Sequence, residues 1–137
     1  MKPFHILIAT GAAVAVTLFF SCNKDKVPTA NDHDGPVISI EKPTEGQTFA
    51  LGDTIRMLAG IDDDSELQDI TVHLISGTDT MLLWPASPVI LGNVKTYTID
   101  DYVIDNINLN IDAKVEFYAV DKHDNATTTD INVHLTL

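Results

Sequence analysis

Alternation of apolar and polar residues dominates the chain from residue 36 onwards. In the clearest case every second residue from Ile55 to Ile61 is apolar. A period of two is expected where one face of a β-strand packs on a core and the other meets water. Seven short segments share such a strand-like pattern: 36–40, 54–61, 70–74, 80–84, 97–104, 115–119 and 131–137. No segment shows the apolar spacing of an amphipathic helix.

Turn-forming residues separate these segments. Pro43 to Gly46, three consecutive aspartates from Asp62, and Ser76 to Asp79 all interrupt the apolar pattern, as does a stretch with two prolines at 85–94. Short strands with turn signals at regular intervals are typical of a β-sandwich. Residues 36–137 are therefore predicted to form one all-β domain, of ordinary size for a domain.

The N-terminus has a different pattern. Lys2 is followed by an almost wholly apolar run from Phe4 to Phe20, and then by Ser21 and Cys22. A basic start, a short apolar run and a small residue before the cleavage point describe a secretory signal peptide. The run falls short of the roughly 20 residues that span a bilayer. We expect residues 1–21 to be a signal peptide cleaved after Ser21.

Ser21-Cys22 resembles the cleavage site of bacterial lipoprotein precursors. Cys22 is the single cysteine of the chain, so it forms no internal disulfide. The resemblance implies that Cys22 becomes the N-terminus and carries acyl chains such as palmitate, which hold the protein on a membrane. An ordinary cleaved signal and an uncleaved anchor are the alternatives. Asn23 to Lys26 resembles the signals that send Bacteroidota lipoproteins to the outer face of the outer membrane.

Residues 22–35 are polar and interrupted by Pro28 and Gly35, which indicates a flexible tether. The chain holds 8 Lys and Arg against 20 Asp and Glu, and the signal peptide contains Lys2 but no acidic residue. A protein this acidic lacks the basic surface that nucleic acids require. We therefore expect no nucleic acid partner.

Several stretches also resemble the immunoglobulin-like domains of Bacteroidota surface lipoproteins. They are the segment Pro36 to Ile40, the turn at 43–46, the stretch Ala59 to Leu67, and Ala119 to Asp121 followed by Asp124-Asn125. The resemblance covers residues 36–137. It implies an immunoglobulin-like Greek-key β-sandwich of about seven strands, of a kind with no assigned activity.

In such a sandwich, the loop after the second predicted strand and the loop before the last lie at one end. Acidic or amide side chains fill both loops: Asp62, Asp63, Asp64, Glu66, Asp121, Asp124 and Asn125. Asp32 and Asp34 of the tether should join them. Calcium takes six to eight oxygen ligands of this kind, so one hypothesis is a calcium site. The other is turn chemistry, because Asp and Asn cap turns through their own backbone.

Three further groups are candidates for chemistry or contact. His73, Glu116 and His134 should point outward from neighbouring strands, either as zinc ligands or as plain surface residues. Thr54 and Thr80 each follow an aspartate and precede an apolar residue, which resembles Bacteroidota O-glycosylation sites. An apolar loop offers either a partner patch or a cover for the sandwich edge: Trp84, Val89, Ile90 and Leu91.

Sequence motifs of enzymes, such as a Gly-rich phosphate loop, HExxH and GxSxG, do not occur. We therefore expect a non-catalytic, lipid-anchored module of the bacterial envelope that binds an unidentified protein or glycan. A calcium-binding adhesive module is one alternative. A carbohydrate-binding accessory lipoprotein is the other, although such proteins usually present several exposed aromatic side chains.

Overall fold

The computed structural model describes residues 33–87 and 89–137. The signal peptide, its cleavage site at Ser21, the acylation site at Cys22 and Asp32 lie outside these residues. The described chain forms eight strands: β1 (Val37–Lys42), β2 (Gln47–Ala50), β3 (Thr54–Asp62), β4 (Leu67–Ser76), β5 (Asp79–Trp84), β6 (Thr96–Ile104), β7 (Ile111–Asp121) and β8 (Ala126–Thr136).

The strands form two sheets. One sheet has the order β1-β3-β6 and the other has the order β2-β8-β7-β4-β5. All neighbouring pairs are antiparallel except β2 and β8, which run parallel. The chain crosses between the sheets after β1, β2, β3, β5 and β6, which gives Greek-key connections. The predicted all-β, immunoglobulin-like sandwich is therefore confirmed.

The core lies between the two sheets and follows the predicted alternation. Ile55, Met57, Ala59 and Ile61 of β3 are all at most 2% exposed. The same holds for alternate residues of β4, β7 and β8: Ile70, Val72, Val115, Phe117, Ala119, Val133 and Leu135. Full burial of a large aliphatic or aromatic side chain contributes about 1.5–3 kcal/mol. This layer is therefore the main source of stability for the sandwich.

Strand β2 is the one element that the sequence analysis did not predict. Its four residues pair in parallel with the last part of β8, from Gln47 beside Val133 to Ala50 beside Thr136. Phe49 is the only one of the four that is buried. A single buried residue gives no visible period, which is why the sequence pattern did not reveal the strand. The strand forms because β8 offers it a free edge.

Other strands extend beyond their predicted bounds. β8 begins at Ala126 and not at residue 131, because the threonines at 127–129 pair with the end of β7. β7 likewise begins at Ile111, four residues before the predicted start. The added residues of β8 are mostly polar and carry no apolar signal, whereas those of β7 do alternate, with Ala113 buried, and were missed.

Within residues 33–87 and 89–137, no helix has the length and hydrophobicity needed to cross a bilayer.

Candidate functional site

The two acidic loops meet at one end of the sandwich, which we call the acidic end. It consists of the β3–β4 loop (63–66), residues 93–95 before β6, and the β7–β8 turn (122–125). Backbone hydrogen bonds join these segments, from Lys122 N to Glu66 O at 2.9 Å and from Asp63 N to Lys95 O at 2.8 Å. The Lys122 ammonium adds side-chain bonds to Glu66 and to Asn93 Oδ1. The structure thus brings together the two loops that the sequence analysis placed at one end.

Asp121 is the centre of this end and is fully buried. Its Oδ1 accepts hydrogen bonds from the backbone N–H groups of His123 and Asn125, both at 2.8 Å. Its Oδ2 accepts from Asn125 Nδ2 at 2.9 Å and lies 3.0 Å from Ser65 Oγ. One carboxylate therefore holds the β7–β8 turn closed and faces the hydroxyl of the β3–β4 loop.

The environment of Asp121 has opposing effects on its ionisation. Burial alone raises the pKa of Asp121. The hydrogen bonds from the Asn125 side chain, the Asn125 and His123 backbone and Ser65 favour the charged form, and together they hold its pKa below the ordinary value of 3.8. The carboxylate is thus stabilised as an anion by neutral donors.

These contacts are those expected of turn chemistry. Both oxygens of Asp121 already accept hydrogen bonds, and Asp63 Oδ1 accepts from Ser65 N at 2.7 Å and lies 2.6 Å from Ser65 Oγ. In the part of the chain that the structure describes, no group of three or more His, Cys, Asp or Glu side chains is placed to hold a metal ion. Asp62, Asp64 and Asp124 are exposed. The geometry matches the turn-chemistry hypothesis and gives the calcium hypothesis no support.

The tether enters the domain at the acidic end. Residue 37 pairs with Asp62 at the end of β3. Gly35 packs so closely on the start of β8 that an added Cβ would lie 2.8 Å from Thr127 Oγ1. The described part of the chain therefore begins at this end of the sandwich.

The suggested zinc ligands are on neighbouring strands but at different heights. His73 lies directly across from Glu116, whereas His134 pairs with Asp112 and its Nδ1 lies 2.5 Å from Asp112 Oδ1. Glu116 and Asp112 are four residues apart, or about 13 Å along a strand. The three side chains therefore do not converge, and the surface interpretation fits the geometry.

The remaining sequence candidates divide between surface and core. Thr54 and Thr80 are exposed, at the start of β3 and on β5, and their glycosylation stays a prediction. In the apolar loop, Val89 and Ile90 are 36% and 94% exposed. Trp84 and Leu91 are each only 7% exposed and belong to the core. For those two residues the geometry fits the alternative of a cover for the sandwich edge, and the Trp84 ring packs on Tyr97 with ring centroids 5.9 Å apart.

A cleft opens between β5, an edge strand of the five-stranded sheet, and β6, an edge strand of the three-stranded sheet. β5 pairs only with β4 and β6 pairs only with β3, so the two edges face each other without a ladder between them. The cleft has a volume of about 140 Å³. Its lining comes from β3 to β6 and the β6–β7 connection: Ile55, Leu74, Met81, Leu82, Leu83, Val103, Ile104, Asp105, Asn106 and Ile107.

The mouth of this cleft is apolar and accessible. Met81 is 42% exposed, Leu82 is 53% exposed and Ile104 is 62% exposed. Buried core residues, including Leu83, lie behind them. Exposed apolar side chains grouped around a concavity are more informative than isolated ones, since such groups mark contact sites.

Asp105 is the acidic residue of the cleft and is only 3% exposed. Its backbone is fixed on the β2–β3 turn by two 2.8 Å bonds, from Asp105 N to Asp53 O and from Gly52 N to Asp105 O. Its Oδ1 accepts from Ile107 N at 2.9 Å. Its Oδ2 is buried and has no hydrogen-bond partner in the structure.

Sequence reasoning missed both the cleft and Asp105. The cleft residues come from separate stretches of the chain and share no spacing. Asp105 stands among many aspartates and its burial leaves no mark in the pattern. The apolar residues Met81, Leu82 and Ile104 were visible as strand residues, but nothing in the sequence shows which face they present.

No protein-family model matches the chain, and a search of curated proteins finds no match. The functional argument therefore rests on the residues and the geometry above.

Proposed function

We propose that the protein is a non-catalytic binding module, held on a bacterial envelope membrane by acyl chains on Cys22. The tether of residues 22–35 connects the anchor to a rigid sandwich, and the sandwich presents its open side to a partner. The observation that carries the proposal is the cleft between β5 and β6, with its accessible apolar mouth.

The arrangement suits display at a membrane. The tether joins the domain at the acidic end, beside Gly35 and the start of β8. The cleft lies towards the other end, near the β2–β3 turn that holds Asp105. The cleft of such an anchored domain is distant from the attachment point. A partner can therefore reach it.

Two alternatives receive less support. A calcium-dependent module would need several oxygen ligands placed around one point, and no group of three or more such acidic side chains occurs within residues 33–87 and 89–137. A carbohydrate-binding surface would need adjacent exposed aromatic rings. In the described residues Trp84 is buried, and Tyr102 is the only aromatic among the large exposed apolar side chains.

The anchor and the binding face are tested in the same cells. Cys22→Ser should abolish incorporation of a labelled fatty acid and move the protein from the detergent phase to the aqueous phase. A photo-crosslinking amino acid at Leu82 should give a discrete adduct in living cells. The same amino acid at Asp130, on the outer face of the large sheet, serves as the control.

Competition decides whether the adduct reports binding at the cleft. Excess purified domain should suppress the Leu82 adduct, whereas domain carrying Ile104→Glu should not. Fatty-acid labelling that survives Cys22→Ser would contradict the anchor. Equal adducts at Leu82 and Asp130, or equal competition by both domains, would contradict the binding face.

A further inference from the structure

Asp105 lines an otherwise apolar cleft, and one of its carboxyl oxygens is unpaired. Asp105 Oδ2 is buried without a hydrogen-bond partner, and Ile107 N binds only Oδ1. A buried acceptor left unpaired destabilises the folded state. Such groups in folded proteins usually indicate an absent donor, a water or a ligand.

The surroundings determine what kind of donor suits this oxygen. None of the ten lining residues is a lysine, arginine or histidine, so these residues offer the carboxyl group no cationic donor. The only other polar lining residue is Asn106, and the other eight are aliphatic or methionine. A ligand must therefore combine a donor, best a cationic one, with an apolar body.

The size of the cleft limits that body. A volume of about 140 Å³ resembles the roughly 150 Å³ cavity that holds benzene in an engineered protein, so about six non-hydrogen atoms fit. A sugar ring with its hydroxyls is larger and would leave those hydroxyls against apolar walls. A chain of four or five carbons ending in an ammonium group matches both size and polarity.

We propose, building on the function proposed above, that the cleft binds the primary ammonium group of an aliphatic amine. The side chains that cover Asp105 Oδ2 move aside on binding, and this oxygen then accepts a hydrogen bond from the ammonium. Met81, Leu82 and Ile104 contact the carbon chain. The ligand is a free alkylamine or the lysine side chain of a partner protein, since the two share this chemistry.

The test uses residues 23–137, which contain all eight strands, after a single cooperative thermal transition has shown that this segment folds. Amide chemical shifts are followed during titration with n-pentylammonium chloride and, separately, with n-pentanol. Changes should concentrate at residues 81–83 and 103–107. Binding in the millimolar range is expected for the amine, with pentanol at least tenfold weaker.

Two variants and a control locate the interaction. Asp105→Asn keeps the acceptor for Ile107 N but replaces the unpaired oxygen with an NH₂ donor, and should weaken amine binding about tenfold to hundredfold. Leu82→Ala shortens the accessible wall and should weaken it a few-fold. Asp101→Asn, on β6 but exposed and outside the lining, should leave it unchanged.

Nα-acetyl-lysine-methylamide distinguishes the sources. Binding comparable to that of pentylammonium indicates a lysine side chain, whereas binding of the alkylamine alone indicates a small free amine. Equal affinities for amine and alcohol, unchanged affinity in Asp105→Asn, or no binding of either probe would overturn the proposal. If the Leu82 adduct and its competition persist in that case, the amine assignment fails and the binding face stands.

Discussion

Replacing Asp121 tests whether one buried carboxylate holds the acidic end together. The side chain is 0% exposed, and four groups from the turn and the β3–β4 loop lie within hydrogen-bond distance. In Asp121→Asn the oxygen facing the two backbone N–H groups is kept. The new amide NH₂ then faces Asn125 Nδ2, which is itself a donor, whereas Ser65 Oγ can accept from it.

The magnitude follows from the bonds that are lost. A hydrogen bond to a charged group contributes about 1.5–3 kcal/mol. Ser65 Oγ keeps Asp63 Oδ1 as an alternative acceptor at 2.6 Å, and a neutral amide is easier to bury than a carboxylate. We therefore expect a net loss of about 2 kcal/mol, which is roughly 8–16 °C in melting temperature for a domain of this size.

The pH dependence provides a second and independent readout. The folded-state pKa of Asp121 lies below the ordinary value of 3.8, so the unfolded chain takes up the proton first as pH falls. The stabilisation is present above about pH 5 and is lost as the pH falls through the folded-state pKa. The gap between wild type and Asp121→Asn should therefore narrow from pH 7 towards pH 3.

Urea unfolding followed by tryptophan fluorescence measures both effects, since Trp84 is buried in the fold. Asp124→Asn is the matched control, because Asp124 is exposed in the same turn with φ of 64°, a conformation that Asn also tolerates. Its stability should stay within about 0.5 kcal/mol of wild type. A similar value for Asp121→Asn, or a gap that does not change with pH, would refute the reasoning.

Two further predictions concern the core and the surface of the acidic end. Phe117→Ala should lower the free energy of unfolding in urea by about 3–5 kcal/mol, because the ring is fully buried between the sheets. Tyr102→Ala, at a position 65% exposed, is the control and should lower it by less than about 1 kcal/mol. Equal losses of stability in the two variants would contradict the assigned core. The ion pair between Glu66 and Lys122, whose side chains are 37% and 41% exposed, should give a coupling below about 1 kcal/mol in a double-mutant cycle. A coupling well above that value would mean that the pair, and not Asp121, holds the two loops together.

The sequence by itself determined the fold class and the inward faces of most strands. Alternation such as that from Ile55 to Ile61 is a local consequence of packing one strand face on a core, so it can be read without any knowledge of the neighbours. The turn residues between the segments fixed where strands must end. The same local rules predicted that the aspartates at 62–64 and 121 lie in or beside turns.

Tertiary structure decided everything that depends on distances between strands. Only the register shows that Glu116 lies across from His73 and far from His134. Burial of Trp84, at 7% exposed, depends on Tyr97 of another sheet. β2 forms because β8 has a free edge, and nothing within its four residues demands a strand.

The candidate binding site belongs wholly to this second category. Its walls come from β5 at the edge of one sheet and β6 at the edge of the other, so it exists only because the sandwich is open on that side. Asp105 becomes distinctive among 20 acidic residues only through its burial and its unpaired oxygen. Local patterns specify which residues face inward, whereas a cleft is created by elements that meet across the fold.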